Sequence, residues 1–257
     1  MELNYQELGA GQPLILIHGF CNDHTLWDLV REPLSEHYKV ITIDLPGHGQ
    51  SPMLDGKVTF PRVADELASW IIDKGYQECI VVGHSMGGYV TLHLTEQHPE
   101  LVKAFGLFHS NAFEDPPQRK EGRLRSIDIV RQQGMGVFIE SFIPFLFFHE
   151  RIEELIPMID KATKMALNTS PETHMAFTQA MYDRADKSHL LKIEKPKLII
   201  AGDHDSAISF DLSFKMMKMA RHASTHIMYD TGHMGMLERP VESSKQLLDF
   251  ANSVFID

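Results

Sequence analysis

Six short apolar runs rich in branched residues constrain this fold more than any other feature of the chain. They occupy residues 14–17, 40–43, 80–82, 104–108, 198–201 and 226–229. Near-continuous hydrophobicity over so few positions reads as strands buried on both faces. Between the runs lie helical patterns. Val63, Leu67, Trp70 and Ile71, and later Leu247, Ala251, Val254 and Phe255, recur at i, i+4, i+7 and i+8, the spacing of a surface helix with one apolar stripe. Strand alternating with helix predicts an α/β fold: a mostly parallel central sheet flanked by helices. Residues 3–8, followed by Gly9-Ala10-Gly11-Gln12, read as a leading antiparallel strand and its turn.

The alternation stops between Ser110 and Glu194. Ordinary connections run to about 2–6 residues around one helix, so a stretch this long is an inserted subdomain. Pro116-Pro117 marks its start, and Ser170-Pro171 announces a later helix with an N-cap and a proline in the first turn. Apolar faces at Leu124, Ile127 and Val130, at Met158, Ala162 and Met165, and at Met175, Ala180 and Met181 predict three or four helices. The expected division is a core of residues 1–110 and 195–257 with a helical cap at 111–194. A chain of 257 residues accommodates one such domain and its insertion.

Charge and cysteine usage narrow the setting. With 24 basic against 35 acidic side chains, the net −11 repels phosphate backbones, and no nucleic-acid partner is expected. Cys21 and Cys79 make no disulfide framework and no CxxC pair, which suits a reducing compartment. The opening Met1-Glu2-Leu3-Asn4 carries no basic and apolar leader. The greasiest stretch, 134–148, contains Glu140 and Pro144 and is shorter than the ~20 residues a membrane span requires. A cytoplasmic protein with no membrane partner is expected, its oligomeric state left open. Fifteen histidines form no His-Glu-x-x-His pattern, so neither a metal nor another cofactor is expected. His18, His48 and His84 read as structural histidines.

The run 80–82 leads directly into Gly83-His84-Ser85-Met86-Gly87-Gly88, and a helical pattern follows at once. This is G-x-S-x-G in strand, turn, helix order, in which a serine sits on a turn so sharp that the positions two before and two after it must lack side chains. By composition the pentapeptide arises by chance in about one chain of this length in ten, so its context carries the signal. A nucleophilic serine requires a base, a carboxylate that orients the base, and donors for the oxyanion. The run 198–201 ends in Gly202-Asp203-His204-Asp205 and the next in Gly232-His233, both at carboxyl ends of strands, where open α/β sheets build their sites. Upstream, His18-Gly19-Phe20 ends the first buried run and aims the Phe20 amide at the same place as the Met86 amide.

Taken in order and spacing, His18-Gly19-Phe20, the segment from Asp44 to Ser51, Gly83-His84-Ser85-Met86-Gly87, Gly202-Asp203-His204-Asp205 and Gly232-His233 make the chain resemble the α/β-hydrolase superfamily over nearly its whole length. The resemblance implies Ser85 as nucleophile, Asp205 rather than Asp203 as acid, His233 as base, Phe20 and Met86 as backbone oxyanion donors, and the insertion as a helical cap. One departure is a late start: the chain is expected to lack the outermost first strand of the family, which leaves the strand count open.

The expected activity is acyl transfer to water on a small-molecule ester, a carboxylesterase reaction. Lactonase, thioesterase, carbon–carbon hydrolase and haloperoxidase or perhydrolase chemistry use the same triad, and a hydrolase-fold receptor for a small ligand is the reading from another class. Phe138, Phe142, Phe145, Leu146, Phe147 and Phe148 are too many for one face of one helix. Pro144 breaks their run. Phe142, Phe145 and Phe148 are therefore expected to line an apolar lid with few charges, favouring short to medium apolar acyl groups over charged acids.

Overall fold

All six apolar runs become strands, and the leading segment adds a seventh. The computed structural model describes residues 1–255, in which β1 (Tyr5–Leu8), β2 (Pro13–Ile17), β3 (Lys39–Ile43), β4 (Cys79–His84), β5 (Val102–Phe108), β6 (Lys197–Gly202) and β7 (Ala223–Met228) form one sheet. The strand order is β1-β3-β2-β4-β5-β6-β7. Only β1 runs antiparallel, pairing Tyr5 with Ile43 and Leu8 with Val40; every other neighbouring pair is parallel. β2, β4 and β6 are buried at every position, as their unbroken hydrophobicity requires. β7 differs from that expectation: it closes the edge of the sheet and leaves Ser224 and Thr225 exposed.

The flanking helices are α1 (Asp28–Ser35), α2 (Phe60–Asp73), α3 (Met86–Gln97), α8 (Phe210–Met219), α9 (Gly235–Glu238) and α10 (Pro240–Phe255). Thr59 caps α2 by accepting the Arg62 amide, and Val63, Leu67, Trp70 and Ile71 are buried along its length. α2 packs on α3, and α1 packs on α10.

Four helices occupy the β5–β6 connection: α4 (Pro117–Gln133), α5 (Met135–Phe145), α6 (Ile152–Leu167) and α7 (Pro171–Asp183). The Ser170 hydroxyl accepts the Thr173 amide at 3.1 Å, with Pro171 in the first turn of α7. Pro144 falls in the last turn of α5, which ends one residue later. These helices are fastened to loops at the carboxyl ends of the strands. The His233 amide donates to the Leu146 carbonyl at 2.7 Å, and the Phe148 amide donates to Glu238 Oε2 at 3.1 Å. From α7, the Thr173 hydroxyl donates to the Gly47 carbonyl at 3.0 Å. Among the described residues no helix is long and apolar enough to cross a membrane.

Candidate active site

Ser85 stands alone between the last residue of β4 and the first of α3. Its φ of 50° and ψ of −113° lie in the positive-φ region that side chains avoid. Two bonds from the β5 end hold it there: the Ser85 amide donates to the Phe108 carbonyl at 3.0 Å, and the Ser110 hydroxyl donates to the Ser85 carbonyl at 2.7 Å. The glycine spacing has a direct steric cause. A Cβ at Gly83 would sit 2.2 Å from the carbonyl carbon of Gly87, and one at Gly87 would sit 2.6 Å from the His18 carbonyl oxygen.

The loops after β6 and β7 bring Asp205 against His233. The His233 Nδ1–H donates to Asp205 Oδ2 at 2.8 Å, while Asp205 Oδ1 accepts the Ala207 and Ile208 amides, each at 2.8 Å. Burial alone would raise this carboxyl; the neighbouring His233 and His109 override it and hold it below the usual carboxylate range. Asp203 is not part of this contact and instead accepts the Thr231 amide at 3.3 Å. His84, the residue before Ser85, donates from Nε2 to the His233 carbonyl at 3.0 Å, and the two rings lie 4.8 Å apart. Neither Ser85 Oγ nor His233 Nε2 has a hydrogen-bond partner among the described residues; Ser85 is half-buried and His233 is 2% exposed.

His109 is a member of this cluster that the sequence reading missed. It directly follows β5 with a φ of 46°, and its Nδ1 lies 3.3 Å from Asp205 Oδ2 and 3.2 Å from the Gly202 amide nitrogen. The available signal was positional: a histidine at the carboxyl end of a buried strand.

Among the described residues the Phe20 and Met86 amides have no acceptor. Met86 opens α3, so its N–H has no intrahelical acceptor. The Phe20 amide donates to no described residue. The loop carrying Phe20 is braced by His18, whose Nδ1–H donates to the Gly19 carbonyl at 2.7 Å while Nε2 accepts the Leu45 amide at 2.9 Å. Burial lowers the His18 pKa, which suits this neutral bridging role. The Asp44 carboxylate ties the adjoining loop together. It accepts the His24 amide at 2.7 Å and the Gln50 amide at 2.9 Å, and Asn4 Nδ2 at 2.7 Å.

A cavity of about 270 Å³ opens beside Phe20. Phe138, Phe142 and Phe145 line it, and so do Arg119 and Arg123 of α4. Phe142 meets Phe20 at 6.1 Å between ring centroids and stacks on Phe138 at 4.8 Å, whereas Phe145 is 55% exposed at the rim. Phe148 lies elsewhere, stacked on His204 at 4.2 Å. The cavity thus carries two guanidiniums where an apolar lid with few charges was expected, because α4 turns its basic residues back toward the buried Asp115.

Ligand-type atoms of His109, Asp205 and His233 fall within 4.8 Å of one another, as do those of Asp23, His24 and Asp44. In both groups the carboxylates already accept hydrogen bonds from protein donors, which satisfies them without an ion.

The comparisons agree with this fold. A structure described as a thermophilic esterase from Thermogutta terrifontis superposes with a TM-score of 0.93 at 28% identity, covering 99% of this chain and 94% of that one. The enol-lactonase from Burkholderia xenovorans shares the fold with a TM-score of 0.88 at 22% identity, covering 97% of this chain and 96% of that one. Among curated proteins, the (E)-2-((N-methylformamido)methylene)succinate hydrolase of Acinetobacter baylyi is 28% identical over 92% of this chain and 89% of its own. A pimeloyl-acyl-carrier-protein methyl ester esterase of Vibrio vulnificus is 24% identical over 97% of this chain and 98% of its own. The profile of the alpha/beta hydrolase family matches residues 14–244, which takes in the elbow and both loops of the dyad, and the chain belongs to that family.

Proposed function

We propose that this hydrolase cleaves a carboxylic ester through an acyl-enzyme, with Ser85 as nucleophile, His233 as base and Asp205 as the acid that orients it. His233 Nε2 takes the Ser85 proton as Oγ attacks the carbonyl carbon; the Phe20 and Met86 amides receive the oxyanion. Collapse expels the alcohol, which leaves with the proton from His233. Water repeats the sequence and releases the acid. Asp205, held ionised, stabilises the imidazolium that forms in each half. The helices of residues 111–194 act as a cap, and Phe20, Phe138 and Phe142 receive the methylene part of the acyl group, each buried CH₂ being worth about 0.8 kcal/mol. Cytoplasmic residence and a small-molecule substrate complete the proposal.

The single observation that carries it is the 2.8 Å bond between His233 and Asp205 beside a serine held at positive φ. The test is turnover of p-nitrophenyl acetate and butyrate by wild type and Ser85→Ala, with labelling by a fluorophosphonate probe read by mass spectrometry. Wild type is expected to turn over many times, faster on butyrate, and to take the probe at Ser85. Ser85→Ala is expected to do neither while melting at the same temperature. Retention of more than a tenth of the activity by Ser85→Ala refutes the nucleophile assignment.

A further inference from the structure

Three guanidiniums converge on one carboxylate behind the wall of the cavity. Asp115 is 2% exposed. Arg184 Nη2 lies 2.5 Å from its Oδ1, Arg123 Nε 3.1 Å from Oδ2, and Arg119 Nε 3.5 Å from Oδ1. One negative charge cannot balance three positive ones. Arg184 is occupied elsewhere: Nη1 donates to the Phe113 carbonyl, and the guanidinium lies 4.1 Å over the Tyr89 ring. Arg119 and Arg123 line the cavity. Arg119 donates through Nη1 to the Ala207 carbonyl. Among the described residues, neither Nη nitrogen of Arg123 nor Nη2 of Arg119 has a protein acceptor. In this partly buried space Arg123, with both Nη nitrogens open, can grip a carboxylate bidentately, and Arg119 adds its Nη2 as a further charged donor. The attraction is local, because a chain of net charge −11 repels anions at longer range.

The same cavity borders the reaction centre through residues next to it, although Ser85, Asp205 and His233 are not in its wall. Phe20 forms part of its wall, and Ser206 and Ala207, which directly follow Asp205, form another part. We propose that Arg119 and Arg123 hold a free carboxylate at the far end of the acyl group, so that the preferred substrates are half-esters of dicarboxylic acids; this rests on the ester-hydrolase reading above. The phenylalanines then pack on the methylenes between the two carbonyl groups, and the arginines keep the acyl part in register through both halves of the reaction.

The test compares kcat/KM for mono-p-nitrophenyl glutarate with that for p-nitrophenyl butyrate at low salt, spontaneous hydrolysis subtracted. Wild type is expected to favour the half-ester at least tenfold. Arg123→Gln and Arg119→Gln are each expected to lower that ratio at least tenfold, and Arg123→Lys to keep part of it. Melting curves check folding; should a variant fail to fold, the decisive reading is inhibition of butyrate hydrolysis in wild type, where free glutarate is expected to compete and butyrate ion at the same concentration is not. Separately, glutarate is expected to raise the melting temperature of Ser85→Ala. If that shift occurs but no ester is turned over, the carboxylate site stands and the hydrolase reading fails. If esters are turned over with no advantage for the half-ester and no inhibition by glutarate, the carboxylate site alone is refuted. Stronger protection by inorganic phosphate than by glutarate also overturns it.

Discussion

A single methyl at Gly83 tests whether the elbow must be as tight as it is. In Gly83→Ala the new Cβ starts 2.2 Å from the carbonyl carbon and oxygen of Gly87 and 2.4 Å from the Gly88 nitrogen, and Cβ contacts essentially never fall below 3.0 Å. The junction of β4 and α3 must therefore open by roughly 0.8 Å, the difference between those two distances. All three neighbours are backbone atoms, so no rotamer change relieves the clash. Overpacking of this kind costs about 1–3 kcal/mol. Ser85 and Met86 ride on the same junction, and a displacement near 1 Å of an attacking group costs about 10² in rate. Gly83→Ala is therefore expected to lose about two orders of magnitude in kcat toward p-nitrophenyl butyrate and about 1–3 kcal/mol in urea unfolding. Gly136→Ala is the control: nothing lies within 4 Å of that Cβ early in α5, so activity should hold and stability should rise by up to about 1 kcal/mol. A Gly83→Ala enzyme within threefold of wild-type kcat would refute the coupling of elbow geometry to catalysis.

Three further outcomes follow from the contacts. Asp205→Asn is expected to lower kcat by about 10⁴ and Asp203→Asn by only a few fold, since Asp203 meets the Thr231 amide rather than His233; equal losses in the two variants contradict the assignment. Asp44→Ala strands the buried His24 amide and Nδ1, bonded at 2.7 and 2.8 Å, and at about 1–3 kcal/mol per stranded donor should cost roughly 2–6 kcal/mol in urea unfolding, with a loss under about 1 kcal/mol counting against it. Burial draws the pKa of His48 down to about 3 and of His174 down to about 4, and lowers His84 as well. Against an unfolded value near 6.5, the unfolded chain binds more protons as pH falls, so stability should decline below about pH 6.5 toward those folded values. Asp44 and Asp205, both lowered in the folded state, add a second loss below about pH 4. A urea midpoint that is unchanged between pH 7.5 and 5 contradicts the histidine contribution.

Local pattern determined the parts of this protein that depend on neighbours in sequence. Strand positions follow from unbroken apolar runs, α2 from its 3.6-residue period, and the Ser85 turn from two glycines whose absent side chains permit strand and helix to touch. The Ser170-Pro171 start of α7 is legible for the same reason: a cap acts within one turn. Asp205 and His233 were placed by resemblance, not by spacing alone, and the structure then brought Asp205 and not Asp203 to the ring. Tertiary packing alone decided the rest. His109 reaches Asp205 because β5 and β6 are neighbours in the sheet, a pairing across 96 positions that no local period encodes. Phe148 turns to His204 and Phe142 to the cavity, although both belong to one aromatic run. Nothing local in the sequence marks Arg119, Arg123 and Arg184 as a cluster. They become two unbalanced cations only when folding buries Asp115 between them, because a side chain's charge acts through its dielectric surroundings and partners, and both are set by distant residues.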